Sequence, residues 1–94
     1  MLQAKAKILT TEEDRKIPGI LTFDGVKLVF KSTDFYHPVT REIYANEIIQ
    51  TGKRQNFVFF NRFFYVRTRD GRKFRFYTWR NAAFVKEINH AIHT

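Results

Sequence analysis

Apolar and polar residues alternate with period two along most of this chain, and an Asp-Gly pair interrupts the alternation twice. No other feature constrains the fold as much. Alternation sends successive side chains to opposite faces of a half-buried strand, and Asp-Gly between two such runs marks a tight hairpin. In the run Ile20–Phe30 the pair is Asp24-Gly25. A two-residue turn there pairs Phe23 with Val26 and Leu21 with Leu28, which gathers these four with Phe30 on one apolar face.

The second pair is Asp70-Gly71. A two-residue turn would set Arg67 opposite Phe74 and mix charge into the core. A three-residue loop, Arg69 to Gly71, instead pairs Val66 with Phe74 and Phe64 with Phe76. Tyr65 then meets Arg75, and Arg67 meets Lys73, on the outer face. The expectation is a type I turn closed by Gly71 in the left-handed conformation.

The rest of the body reads as short strands and loops. Lys5–Leu9 is a strand, Thr10–Lys16 is a polar loop, and Pro18-Gly19 restarts the chain. Ser32–Thr40, with Pro38, is a loop that contains His37. Arg41–Ala45 and Ile48–Lys53 are strands, and Gln55–Asn61 fits more than one state. Period changes after Arg80. Phe84, Val85, Ile88, Ala91 and Ile92 recur at helical spacing, with Thr78 or Asn81 placed to cap the start. So short a helix is not stable alone in water and must dock on the sheet. The fold class is mainly β, six or seven strands with one C-terminal α-helix at about 80–92, in a single domain over 1–94.

A chain of 94 residues builds one core and excludes an enzyme with separate cofactor and substrate domains. Cysteine is absent, which excludes disulfides and thiolate chemistry. There is no Gly-rich phosphate loop, and no nucleophile stands with a base and an orienting acid. The expectation is no catalysis and no cofactor. His90 and His93 lie three apart on the helix without an acid or Cys beside them, so no metal site is expected. The longest apolar runs, such as Phe57–Phe60 and Phe63–Val66, have four residues, whereas a spanning helix needs about 20. No leader pattern opens the chain. These features read as a cytoplasmic protein, soluble or peripheral at a membrane.

Charge is uneven. Met1–Ile49 holds seven basic and seven acidic residues, while Gln50–Thr94 holds ten basic against Asp70 and Glu87, so the net +8 belongs to the second half. Such asymmetry points to an anionic partner. The outer face of the second hairpin carries Tyr65, Arg67, Lys73, Arg75 and Tyr77, with Arg69 and Arg72 at its tip and Arg62 near its start. Interleaved cations and rings suit an anionic bilayer, and they suit single-stranded nucleic acid through phosphate contact and base stacking. Phe57, Phe59 and Phe60, beside Lys53, Arg54 and Arg62, form a candidate hydrophobic interface for a membrane or a protein partner. A homo-oligomer pairing exposed sheet edges is a further alternative.

The order of motifs carries a resemblance. Pro18–Ser32 resembles the Gly-x-Leu-x-Leu-Thr-x-x-x-Leu-x-Phe opening of GRAM domains, with Phe23 and Asp24 near where that pattern has Thr-Asp. Glu47-Ile48 is similar to the family's acidic-Ile step, Arg67–Phe76 to its Thr-x-Asp-Gly-x-x-Phe-x-Phe hairpin, and Phe84-Val85-x-x-Ile88 to its closing helix. The resemblance covers about Pro18 to Ile92. It implies a pleckstrin-homology-like barrel of two bent antiparallel sheets capped by the helix, and a lipid- or protein-binding role. Phosphoinositide-binding relatives hold the headgroup with basic residues around the first loop. Here that loop has Glu12, Glu13 and Asp14, so the resemblance does not carry high-affinity phosphoinositide binding.

Overall fold

The structure is a computed structural model and describes residues 1–10, 15–36, 38–56 and 61–93. Seven strands precede one helix: β1 Leu2–Thr10, β2 Arg15–Phe23, β3 Lys27–Ser32, β4 Thr40–Tyr44, β5 Ile48–Asn56, β6 Asn61–Thr68, β7 Lys73–Tyr77 and α1 Asn81–Ile92. A 3-10 turn, Ala45–Glu47, joins β4 to β5. All pairings are antiparallel, and the strands form one sheet in the order β4-β3-β2-β1-β7-β6-β5. Where the resemblance implies two sheets, hydrogen bonding here runs through all seven strands. The seam is narrow: β1 meets β7 at Lys7–Tyr77 and Ile8–Phe76, whereas β1 and β2 pair from Leu2–Phe23 to Thr10–Arg15.

The second hairpin matches its sequence reading. Phe64 pairs with Phe76, Tyr65 with Arg75, Val66 with Phe74 and Arg67 with Lys73. The Gly71 N–H donates to the Thr68 carbonyl at 3.1 Å, and Gly71 has φ 89°, a conformation that Gly adopts without a Cβ penalty.

The first hairpin differs. Phe23 pairs with Leu28 and Leu21 with Phe30, so four residues, 24–27, lie between the first paired residues of the ladder. The Asp24 carboxylate accepts from the Val26 and Lys27 N–H groups at 2.9 Å each, which opens the turn. Val26 therefore leaves the apolar face and is 62% exposed. The slip is two residues, so facing is preserved and Leu21, Phe23, Leu28 and Phe30 stay buried.

Pro18 and Gly19 do not restart the chain either; β2 runs through both. A strand residue sends its N–H and C=O to the same side. The Pro18 carbonyl accepts from the Thr33 N–H at 3.0 Å, just past the end of β3, so the missing proline donor breaks no ladder bond. β1 and β2 are also longer at their facing ends than expected, reaching Thr10 and Arg15. Glu12, Glu13, Asp14 and His37 lie outside the described residues.

One core sits on the inner face. Ile8, Leu21, Leu28, Phe30, Ile43, Phe64, Val66 and Phe76 are fully buried, and α1 adds Phe84 and Ile88. The helix packs on β5 and β6 and reaches the 3-10 turn and β2. Phe84 stacks on Phe64 with ring centres 5.4 Å apart. Neither expected cap bonds as a helix N-cap: the first flanking residue is Arg80, whose N–H donates to Thr78 Oγ1 at 3.2 Å. Asn81 is buried, and its Nδ2 donates to the Phe63 carbonyl at 3.3 Å, tying the helix start to β6.

Candidate functional site

Strand direction sorts the polar and aromatic side chains into an outer sheet face and two ends. Along β6, Phe64, Val66 and Thr68 point inward, so Phe63, Tyr65 and Arg67 face out. Along β7, Lys73, Arg75 and Tyr77 do the same. Register sets these residues in rows: Phe63 beside Tyr77, Tyr65 beside Arg75, Arg67 beside Lys73. Cations lie over rings of the neighbouring rows. Arg75 sits 4.8 Å from the Phe63 ring centre, and Lys73 Nζ sits 5.0 Å from that of Tyr65. Arg67 donates to Gln50 Oε1 at 3.2 Å. Together they line a shallow hollow of about 290 Å³ with no carboxylate among its lining residues.

Beneath it, Tyr65 lies on Gly52, its cross-strand partner. A Cβ at position 52 would fall 2.8 Å from Tyr65 Oη and 2.9 Å from its Cε1. The glycine is what lets the ring lie down on the strand.

Other expected residues lie elsewhere. Arg72 bonds Asp70 Oδ2 at 2.7 Å and lies 3.6 Å from Glu47, so its charge is engaged at the hairpin tip. The Thr68 hydroxyl, then the Arg72 N–H and guanidinium, hold the Asp70 carboxyl below its ordinary value. Arg69 is exposed at the same tip, its N–H donating to the Glu47 carbonyl at 2.9 Å. Arg62 is at the opposite end, 4.8 Å from the Trp79 ring centre. The interface residues Phe57, Phe59 and Phe60 lie outside the described residues.

The end that holds Arg62 has a second, larger hollow of about 570 Å³, where β1, β2 and β7 meet. Lys5, Lys7, Lys16, Arg62, Tyr77 and Trp79 are among the residues that line it. Lys16 Nζ lies 4.0 Å from the Tyr77 ring centre. Trp79 is 71% exposed. The loop from β3 to β4 leaves from the same rim at Thr33 and carries Phe35 and Tyr36, 91% and 85% exposed. Their rings meet edge to face, 5.9 Å apart. Sequence reasoning missed this cluster. The alternation Lys5-Ala6-Lys7 put both lysines on the outer face of β1, and that signal was available. Nothing local brought Trp79, from the segment after β7, to the same rim.

Among the described residues no three His, Cys, Asp or Glu side chains group as metal ligands, and no helix is long and apolar enough to cross a membrane. No family model matches this chain, and no curated protein matches it. Its structure is similar to the C-terminal domain of an unknown protein from Leishmania infantum, with a TM-score of 0.81 over 100% of this chain and 84% of that one. Identity is 14%, so the likeness shows a shared fold and nothing of function.

Proposed function

We propose that the chain is a non-catalytic binding module that docks end-on to an anionic membrane surface. We further read its sheet as a pleckstrin-homology-like barrel, with β4-β3-β2-β1 and β7-β6-β5 as two bent halves, and the chain as a relative of GRAM domains. The narrow β1–β7 seam and the helix reaching both halves support that finer reading.

One observation carries the functional reading. Trp79, 71% exposed, lines one hollow with Lys7, Lys16 and Arg62, and the loop that carries the exposed Phe35 and Tyr36 leaves that hollow at Thr33. Aromatic side chains favour the headgroup level of a bilayer, and each nearby cation gains about 1 kcal/mol from anionic lipid. The test is vesicle cosedimentation at near-physiological salt, comparing anionic with zwitterionic lipid. Binding to anionic vesicles alone is expected, with a blue shift in the emission of Trp79, the single tryptophan. Equal binding to both lipids, or none to either, would redirect the search to a protein partner or nucleic acid.

A further inference from the structure

The lattice on the outer face of β5, β6 and β7 takes no part in end-on docking. Its rings are half-buried and lie beneath cations, so none protrudes to enter a bilayer. Its charge is one-sided: Arg67, Lys73 and Arg75 line the hollow with no acid among the lining residues. A polyanion complements such a face, and only one with flat apolar groups would use the rings as well.

We propose that this face binds single-stranded nucleic acid, with bases stacked on two ring–cation platforms and phosphates held by Arg67 and Lys73. The Arg75 guanidinium lies over Phe63 and lines the hollow, where its outer plane would serve a base as a stacking surface in the way an aromatic side chain does. Over Tyr65 a base would replace the Lys73 ammonium, freeing that long side chain to reach a phosphate. Gly52 is the positioning residue: it sets the Tyr65 ring flat against β5 with its upper side turned to the ligand. Duplex is a poor fit, because its bases are stacked on one another and cannot reach a recessed ring. The reading does not rest on membrane docking, which uses the other surface.

Fluorescence anisotropy of a labelled thymidine oligonucleotide with the full chain tests it, beside a duplex of matched length. Single strand is expected to bind more tightly than duplex. The logarithm of affinity should fall with the logarithm of salt at a slope of about −1.4, as for two neutralised phosphates on a single strand. Tyr65→Ala is expected to weaken binding about tenfold, while Tyr65→Phe retains it. Gly52→Ala changes no charge, and it should weaken binding because its methyl group lifts the ring. Arg67→Gln should reduce the slope by about 0.7. Melting curves confirm that each variant is folded. Failure to bind the single strand at low salt overturns the proposal. So does equal affinity for duplex, or unchanged affinity in both Tyr65→Ala and Gly52→Ala, since charge alone would then explain the binding.

Discussion

At position 19 a single methyl group decides how closely two strands can meet. A Cβ there would fall 2.4 Å from the Lys31 carbonyl oxygen and 2.5 Å from Phe30 Cζ. The first is backbone, and the second belongs to a fully buried ring, so neither can move aside. Gly19→Ala should cost about 2 kcal/mol, the ordinary cost of overpacking, read as a lower urea midpoint. A midpoint within error of the parent would show that the strands have slack. Gly71 is different. No atom crowds it, and its φ of 89° is the whole constraint, so Gly71→Ala should cost about 1 kcal/mol. The two glycines were not equally legible. Asp70-Gly71 announces its turn in four residues of sequence. Pro18-Gly19 looks like a turn as well, and nothing local reveals that a ring from the next strand presses on position 19.

At the scale of elements, alternation was the reliable signal and loop length the weak one. Parity alone put Leu21, Phe23, Leu28 and Phe30 inward, and it survived the two-residue slip of the first hairpin. The slip came from the Asp24 carboxylate, a side-chain acceptor that hydrophobic pattern does not count. Both hairpins therefore depend on an ionised turn residue. Asp24 is held below its ordinary 3.8 by the Lys27 and Val26 N–H groups, and Asp70 is lowered chiefly by Thr68. A carboxyl with a depressed folded pKa stabilises above its unfolded value, and the gain disappears as pH falls through the folded value. Stability should thus decline below about pH 4. The double variant Asp24→Asn, Asp70→Asn keeps one acceptor oxygen at each turn but cannot titrate there, so its acid limb should be flatter. Superimposable acid titrations of the two proteins would refute the assignment. The helix was legible for another reason: its 3.6-residue period is sustained over Phe84 to Ile92. Phe84, fully buried on Phe64, should cost about 3–5 kcal/mol when cut to Ala, much of the roughly 5–15 kcal/mol that holds a domain together. Its thermal unfolding should shift accordingly, and a shift of only a degree or two would mean that α1 is an ornament to the sheet.

For the molecule as a whole, what sequence could not supply was which charges share an end. Read along the second hairpin, Arg62, Arg67, Arg69, Arg72, Lys73 and Arg75 form one basic strip. Folded, they divide three ways: Arg67, Lys73 and Arg75 on the lattice, Arg69 and Arg72 at the tip, Arg62 beside Trp79. Arg72 is further committed to Asp70 and Glu47, a pairing that needs the 3-10 turn beside the hairpin. Distance then makes a sharp distinction. Arg62 and Arg69 are separated by most of β6, about 23 Å at strand rise, which is more than two Debye lengths of roughly 10 Å at 0.1 M salt. A surface that meets Trp79 lies close to Arg62, whose guanidinium is over that ring, and the length of β6 away from Arg69. Arg62→Gln should therefore weaken anionic vesicle binding about fivefold, the worth of one cation near the surface. Arg69→Gln, which removes the same formal charge, should change it less than about twofold, because screening hides the tip from the lipid. If the two variants weaken binding equally, the molecule lies on its side with the hairpin against the lipid. The aromatic end would then be free, and end-on docking would be wrong.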